Sequence, residues 1–259
     1  MDSFQLKKQN GAAVPGLSLV PDGVRDIIIM VHGFGSSRDC MTAQMLFRRM
    51  PPAGFGVVTY DQPGHGSGEA RAESLRLENC FASLAAVEQY VSETWPDCRI
   101  HYFSSSFGAY VTTLYVCSYP HKGCDAFLRS AAVNMPLLLL GPPGSGIDPV
   151  YMKEFEEKGY IVPDVGAPDA VRIPFGFLED LREHDLSRKF AGRIFNDVRF
   201  EMVHGEKDST IELSYAKSFA EQFNIPITVI PGEEHTLSDF PETPDRVADL
   251  AIAFYRAGI

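Results

Sequence analysis

Short runs of apolar and β-branched residues alternate along the chain with stretches that have helical spacing. The runs predict strands at residues 27–31, 56–60, 99–103, 127–132, 199–203 and 227–230. Apolar residues three and four positions apart predict helices at residues 41–50, 75–94, 107–118, 213–222 and 246–257. This alternation indicates an α/β fold, in which helices flank a mostly parallel central sheet.

Two regions depart from the regular alternation. Near the start, extended segments at residues 4–8 and 17–20 are expected to pair as an antiparallel edge of the sheet. In residues 135–190, Pro, Gly and aromatic residues cluster and the alternation lapses, so we interpret this stretch as a small inserted cap. A length of 259 residues suits a single α/β domain with such an insertion, and we expect residues 1–259 to form one.

Composition and charge indicate which molecules the protein is expected to bind and where it is expected to be located. The formal net charge is −11, and no run of basic residues occurs, which argues against nucleic-acid binding. The longest apolar runs, residues 27–31 and 137–140, are too short to span a bilayer, so we expect no stable membrane insertion and a cytoplasmic location. The five cysteines form no C-x-x-C pair and indicate neither a disulfide framework nor a metal site. The sequence leaves the oligomeric state open, a homodimer included.

A candidate nucleophile follows the strand predicted at residues 99–103, where the chain continues as Ser104-Ser105-Ser106-Phe107-Gly108 into a helix. A serine nucleophile on a tight strand-to-helix turn requires small residues two positions before and after it. Ser106 has Ser104 and Gly108 at those positions, whereas Ser104 and Ser105 each have an aromatic residue there. The pattern predicts Ser106 as the nucleophile, although Ser104 replaces the glycine that usually opens the motif.

An attacking serine needs a histidine to take its proton and an acid to orient that histidine. His235 lies in the loop after the last predicted strand, and Asp208 follows the strand at residues 199–203. Both would lie at the same carboxyl edge of a parallel sheet as Ser106. We therefore predict His235 as the general base and Asp208 as the acid. Glu206 is an alternative acid, and Asp208 could instead cap the following helix.

Backbone amides must stabilise the oxyanion that forms when a serine attacks an acyl carbon. The segment His32-Gly33-Phe34-Gly35 follows the strand at residues 27–31, and its glycines let the chain fold back so that the Phe34 amide faces Ser106. The Phe107 amide, directly after the nucleophile, is the predicted second donor. A plain glycine turn is the alternative interpretation of the loop.

The turn at residues 61–68 contains Asp61 and His65, for which we expect a role in shaping the loop beside Ser106 rather than in proton transfer. Taken in order, the motifs resemble the α/β-hydrolase superfamily over nearly the whole chain: His32-Gly33-Phe34-Gly35, the turn at 61–68, the elbow at Ser106, Gly205-x-x-Asp208 and His235. The short insertion and the stretch Ile173-Pro174-Phe175 are similar to the small-capped cinnamoyl and feruloyl esterases, with monoacylglycerol lipases and related acyl hydrolases as neighbours.

The resemblance implies hydrolysis of a small-molecule carboxylic ester with a small or medium acyl or aryl group. The reaction would pass through an acyl-enzyme on Ser106 and would use no metal or organic cofactor. Leu138, Phe175 and Phe177 in the cap are candidate pocket residues, with burial in the core as the alternative. The same three catalytic residues would also serve a thioesterase, an amide or peptide hydrolase or an acyltransferase, and a non-catalytic ligand-binding protein could retain the fold.

Overall fold

The fold is built from ten strands and nine α-helices within the part of the chain that the computed structural model describes, which is residues 1–8, 11–66, 72–142, 144–145, 147–163, 171–191 and 197–258. The strands are β1 (Asp2–Lys7), β2 (Ala13–Leu19), β3 (Asp26–Val31), β4 (Gly56–Tyr60), β5 (Arg99–Ser105), β6 (Gly123–Arg129), β7 (Tyr160–Ile161), β8 (Ile173–Pro174), β9 (Arg199–Gly205) and β10 (Ile227–Ile230). The helices are α1 (Met41–Arg49), α2 (Leu77–Thr94), α3 (Phe107–Ser118), α4 (Met135–Leu140), α5 (Pro149–Lys158), α6 (Phe175–Glu183), α7 (Leu186–Phe190), α8 (Leu213–Gln222) and α9 (Thr243–Arg256).

The central sheet has eight strands in the spatial order β1-β2-β4-β3-β5-β6-β9-β10 among the described residues. β1 pairs antiparallel with β2, and β2 pairs antiparallel with β4, whereas every pair from β4 to β10 is parallel. The mostly parallel sheet and its antiparallel edge are therefore as the sequence predicted. Because parallel strands all end at one edge, the loops after β3, β5, β6, β9 and β10 meet there.

Both faces of the sheet are covered, which is why its central strands are apolar throughout. In β3, every residue is buried. Ile28 and Met30 pack under α1 and α9, and the alternate residues Ile27 and Ile29 pack on the opposite face, where α2 and α3 lie. Full burial of each such side chain contributes about 1.5–3 kcal/mol, so these alternating layers supply much of the folding free energy.

The segment between β6 and β9 contains the short elements α4, α5, β7, β8, α6 and α7, and it includes the region that we interpreted as a cap. β7 and β8 form a separate two-stranded antiparallel pair. Buried apolar residues of this segment, Phe155, Ile173 and Phe177 among them, join the core cluster on the α2–α3 face. In the described part of the chain, no helix has both the length and the apolar character needed to cross a membrane.

Several element boundaries differ from the predicted ones, two of them for clear local reasons. β6 ends at Arg129 rather than residue 132, because Ser130 has a φ of 46°, which a strand cannot accommodate. α9 begins at Thr243 rather than residue 246, and Pro244 occupies its first turn, where the missing N–H of a proline costs no hydrogen bond.

Candidate active site

Ser106 lies on a sharp turn between β5 and α3. Its φ of 51° is unusual for a residue with a side chain, and such a conformation costs on the order of 1–3 kcal/mol. The Ser106 N–H donates to the Arg129 carbonyl at 2.9 Å, and the Ser106 carbonyl accepts from the Ala132 N–H at 3.2 Å. The end of β6 and the residues just after it therefore hold the turn in place. A Cβ at Gly108 would collide with the Val31 carbonyl oxygen, which explains the need for glycine two residues after Ser106.

A continuous chain of hydrogen bonds joins the three predicted catalytic side chains. The Ser106 hydroxyl donates to His235 Nε2 with an Oγ–Nε2 distance of 2.9 Å. His235 Nδ1–H donates to Asp208 Oδ2 at 2.8 Å, and a carboxylate can only accept, which fixes the proton of the neutral ring on Nδ1. Ser106 and His235 are partly accessible from one cavity, while Asp208 is buried.

Asp208 is held as a carboxylate by several donors. Burial alone would raise its pKa, but contacts with His204 and His235 and the Ile211 amide outweigh burial and hold the pKa well below its usual range. The second carboxylate oxygen, Oδ1, accepts from the Thr210 and Ile211 N–H groups at 3.0 and 2.7 Å. Asp208 therefore both meets His235 and caps the turn that follows β9.

The rival residues point elsewhere. The Ser104 hydroxyl pairs with Thr112 inside the core at 2.7 Å, and the Ser105 hydroxyl accepts from the Arg129 guanidinium at 2.7 Å. The exposed Glu206 accepts from the Gly232 N–H at 2.9 Å. Among the described residues, none of Ser104, Ser105 and Glu206 is hydrogen-bonded to His235.

His204 is a neighbour of the site that sequence reasoning missed. It is the penultimate residue of β9 and is fully buried. Its Nε2 lies 3.1 Å from Asp208 Oδ2 and donates to the Ile211 carbonyl at 2.8 Å. The ring therefore presents a second N–H to the carboxylate that His235 uses. The available signal was the spacing of four residues between His204 and Asp208 across a tight turn.

The loop after β3 lies against the Ser106 elbow, since a Cβ added at Gly33 would be 3.3 Å from the Cβ of Ser106. The Phe34 and Phe107 rings meet edge to face with centroids 5.6 Å apart, and both residues line the same cavity as Ser106. No described residue accepts a hydrogen bond from the Phe34 N–H. The Phe107 N–H lies in the first turn of α3, where amides have no acceptor within the helix.

Asp61 and His65 shape this loop from the neighbouring turn. Asp61 accepts from the Arg38 backbone N–H at 2.7 Å and also forms an ion pair with the Arg38 guanidinium. Burial lowers the pKa of His65 to about 4, and its Nδ1 donates to the Pro63 carbonyl at 2.9 Å. Both side chains thus support the structural interpretation, while residues 67 and 68 of the predicted turn lie outside the described residues.

The cavity at Ser106 has a volume of about 760 Å³. Leu138, one of the three candidate pocket residues, lines it. Phe175 and Phe177 do not line it, which corrects that part of the prediction. Phe177 is fully buried against the Phe107 ring, with centroids 5.8 Å apart, and Phe175 packs edge to face on Phe155.

A second cluster of titratable groups lies far from this cavity, near the amino ends of the strands. His101, Cys124 and Asp125 offer three atoms within 4.8 Å of one another that could ligate a metal ion. However, both ring nitrogens of His101 already contact carboxylates, Asp125 at 2.8 Å and Asp26 at 2.9 Å, and Arg199 pairs with Asp125. Burial opposes protonation of His101, but these partners outweigh it and raise its pKa to about 9. The cluster is an ion-pair network that holds a protonated histidine.

Comparison with solved structures finds the same fold in several hydrolases. Est1E from Butyrivibrio proteoclasticus, bound to ferulic acid, has a TM-score of 0.79 and 16% identity, with 98% of this chain and 99% of that chain covered. A thermostable carboxyl esterase from Bacillus coagulans has a TM-score of 0.75 and 16% identity, covering 99% and 98%. Mouse alpha/beta hydrolase domain-containing protein 10 has a TM-score of 0.72 and 16% identity, covering 99% and 100%. At these identities the similarity establishes the α/β-hydrolase fold and not the substrate.

Comparison of the sequence gives the family. The sequence has no match among curated proteins. A family model described as serine aminopeptidase, S33, matches residues 22–167, which is more than half of the chain. The matched part includes the loop after β3 and the elbow at Ser106. The chain therefore belongs to the serine aminopeptidase S33 family of α/β-hydrolases.

Proposed function

We propose that this protein is a serine hydrolase that cleaves carboxylic esters with a small or medium acyl or aryl group through an acyl-enzyme on Ser106. The observation that carries the proposal is the hydrogen-bonded chain from Ser106 through His235 to Asp208 at the wall of a cavity large enough for such an ester. A serine hydroxyl becomes an effective nucleophile when an adjacent base takes its proton, and this arrangement supplies that base.

In the first half of the reaction, Ser106 Oγ attacks the acyl carbon while His235 Nε2 takes the hydroxyl proton. The tetrahedral intermediate collapses when the bond to the alcohol breaks and His235 returns the proton to the leaving oxygen. A water molecule then attacks the acyl-enzyme while His235 takes a proton from it. The bond between the acyl carbon and Ser106 Oγ breaks, His235 returns the proton to Oγ, and the carboxylic acid is released. The low pKa of Asp208 supports its role, because an ionised carboxylate stabilises the imidazolium that forms twice in the cycle.

The Phe34 and Phe107 amides are the proposed oxyanion donors. Their free N–H groups beside Ser106 support this role, since each would gain its acceptor only when the intermediate forms. Loss of one such donor typically lowers turnover by about 10²- to 10³-fold. Leu138 is the proposed contact to the acyl or aryl group, and residues 135–190 remain the proposed cap.

Ester hydrolysis is favoured over aminopeptidase activity by the charge of the cavity wall. An aminopeptidase must hold the protonated α-amino group of its substrate, for which a carboxylate is the usual partner. Among the described residues that line the cavity there is no Asp or Glu, and the charged residue there is Arg129. A cationic substrate terminus would be repelled by this wall.

The test is brief exposure of the purified protein to a fluorophosphonate, followed by intact mass measurement and mapping of the modified peptide. A single adduct on Ser106 is expected. Ser106→Ala should lose both the adduct and ester turnover with little change in melting temperature, whereas the adjacent Ser105→Ala should keep the adduct. An adduct that maps elsewhere, or none at all, would contradict the proposal and favour a non-catalytic binding protein.

A comparison of substrates then separates the reaction types that could all use Ser106, His235 and Asp208. Matched ester, thioester and aminoacyl anilide substrates with the same acyl group are compared by kcat/KM. We expect the ester to be the best of the three. A higher kcat/KM for the thioester or the anilide would move the proposal to that bond. The cytoplasmic location stays a prediction from the sequence, and the oligomeric state stays open.

A further inference from the structure

Arg129 is an unusual component of the cavity wall. It is the last residue of β6 and only 9% exposed, yet its side chain lines the same cavity as Ser106 and His235. On β6, Arg129 and Phe127 are two residues apart and therefore point to the same face, the one covered by α1 and α9. The charged end of Arg129 thus lies on the side of the cavity that α1 and α9 cover.

The Arg129 guanidinium has fewer hydrogen-bond acceptors around it than it has N–H groups. The guanidinium has five N–H groups, and its acceptors among the described residues are the Ser105 hydroxyl, at 2.7 Å, and the Thr236 carbonyl. It forms no ion pair with any described carboxylate. Burial lowers the pKa of Arg129 to about 10, with Cys40, Asp208 and Glu233 acting in the opposite sense, so the side chain stays charged at neutral pH.

The two nearby carboxylates are occupied by other groups. Asp208 accepts from His235 and from two backbone amides, as described above. Glu233 accepts from the Asp239 and Phe240 N–H groups, each at 3.0 Å. A buried charge without a hydrogen-bonded counter-ion is costly, and a substrate anion that reached Arg129 would remove much of that cost.

The rest of the wall on the α1–α9 side is mostly apolar, although Thr42 of α1 also lines the cavity. Met30, Met45, Leu237 and Val247 line the cavity there and belong to the core cluster between the sheet and these two helices. A mostly apolar wall with one cation suits a short methylene chain that ends in an anion. The reacting carbonyl of such a chain would lie at Ser106, since Ser106 and Arg129 line the same cavity and Arg129 donates to the hydroxyl of the neighbouring Ser105.

We propose that Arg129 is the specificity residue of this site and binds the free carboxylate of esters whose acyl chain ends in one, namely half-esters of short dicarboxylic acids. This inference rests on the proposed function and names its substrate class. A monoanionic carboxylate is the matching group, because it can take two parallel hydrogen bonds from one guanidinium. A dianionic phosphate would leave one negative charge uncompensated beside Asp208 and Glu233.

The test compares monomethyl succinate, glutarate and adipate with neutral methyl esters in which an isopropyl group replaces the carboxylate, and turnover is followed by proton release. The wild-type kcat/KM should be higher for at least one half-ester than for its neutral counterpart. Arg129→Met should reduce the ratio of the two kcat/KM values by about 10- to 100-fold, the usual worth of a hydrogen-bonded ion pair. Arg129→Lys should retain part of the preference, since it keeps the charge but not the planar fork.

Ser130→Ala is the matched control, because the Ser130 hydroxyl donates to the His235 carbonyl at 2.8 Å and so holds the same loop as Arg129 without a charge. It should lower turnover of both esters equally. An equal effect of Arg129→Met on both esters would show that Arg129 only positions the loop and would overturn the inference. So would a wild-type enzyme that turns over neutral esters without preferring any half-ester, although the proposed function would then stand.

A binding measurement covers the case in which the Arg129 variants fail to fold. Titration calorimetry on Ser106→Ala, which retains Arg129 and cannot form the acyl-enzyme, should give tighter binding of the best half-ester than of its isopropyl counterpart. Equal binding of the two compounds would overturn the inference without reference to turnover. Failure of the fluorophosphonate to label Ser106 would instead remove the proposed function.

Discussion

Replacement of Asp208 by Asn tests the proposed catalytic residues most directly, because the structure fixes which way the new amide must face. Oδ1 of Asp208 accepts from two backbone N–H groups, at 3.0 and 2.7 Å, and Oδ2 accepts from His235. Oδ2 also lies 3.1 Å from His204 Nε2, but that N–H keeps its bond to the Ile211 carbonyl at 2.8 Å whichever way the new amide faces. If the Asn oxygen keeps the two backbone bonds, its NH₂ group faces His235 Nδ1. The opposite orientation places an NH₂ against two N–H groups and forfeits both bonds, at a cost of about 1–3 kcal/mol for each unsatisfied group.

The orientation in which the Asn NH₂ group faces His235 should therefore dominate. It favours the tautomer of the His235 ring that is wrong for catalysis. His235 would accept at Nδ1 and carry its proton on Nε2, where it cannot take the proton of Ser106. We expect kcat to fall by about 10³- to 10⁴-fold, which corresponds to about 4–5.5 kcal/mol of transition-state stabilisation. A residual rate above the uncatalysed one should persist, because the Phe34 and Phe107 amides are unchanged.

The assay is steady-state kinetics with the best ester, supported by the rate of fluorophosphonate labelling and by a melting curve that confirms folding. Glu206→Gln is the matched control, because Glu206 is the alternative acid and its carboxylate is exposed and bonded to the Gly232 N–H. It should retain near wild-type turnover. If Asp208→Asn kept more than a tenth of the wild-type kcat, or if Glu206→Gln were the more damaging change, the assignment of the acid would be refuted.

Two further predictions concern stability. Burial opposes protonation of His101, but its bond to Asp125 and its other partners raise its pKa from 6.5 to about 9, so the stability gained is fully present below pH 6.5 and should be lost as the pH rises through 9. Urea unfolding between pH 6 and 10 should show a loss of up to about 3 kcal/mol that His101→Gln reduces, and parallel curves for the two proteins would contradict this. Tyr115→Phe removes a hydroxyl that donates to the buried Glu88 carboxylate at 2.7 Å and should cost about 2 kcal/mol. Tyr119→Phe, which removes a solvent-accessible bond, should cost less than about 0.5 kcal/mol, and equal losses in the two variants would show that burial of the carboxylate has no effect.

The fold was predictable because its signals are local. Each central strand is a short apolar run that is buried on both faces, and each neighbouring helix carries an apolar stripe. Ser106, Asp208 and His235 each follow a parallel strand, so the rule that parallel strands share a carboxyl edge was enough to predict that they meet. The need for glycine at position 108 follows from the close approach of α3 to the end of β3.

The pocket was less predictable, because an apolar residue in the insertion can equally face a cavity or the core. Leu138 and Phe177 illustrate this, since one lines the cavity and the other is fully buried beneath Phe107. Whether such a residue faces the cavity or the core depends on how its helix packs, which is α4 for Leu138 and α6 for Phe177. Arg129 and His204 were missed for the opposite reason. Arg129 is the last residue of β6 and His204 is the penultimate residue of β9. A polar residue near a strand end is expected from the sequence to face solvent, but the loops that close over the sheet edge bury both.

The end of β6 connects the nucleophile, the acid and the base of the candidate site, and this explains why Arg129 is polar and the following Ser130 is polar and strained. β6 lies between β5 and β9 in the sheet, so its end is flanked by the elbow on one side and by the loop of Asp208 on the other. The Arg129 carbonyl accepts from the Ser106 N–H, and the Ser130 N–H donates to the Val203 carbonyl at 2.8 Å.

The side chains of the same two residues reach the third part of the site. Ser130, at a φ of 46°, turns its hydroxyl to the His235 carbonyl, while Arg129 donates to the carbonyl of Thr236. A non-glycine residue with positive φ persists where surrounding contacts over-determine it, and here those contacts hold the loop of the base in register with the nucleophile. Substitutions at Ser130 should therefore alter kcat for every substrate alike, whereas the proposed binding role of Arg129 predicts a change that depends on the charge of the substrate. That difference separates a residue that builds the site from one that selects its substrate.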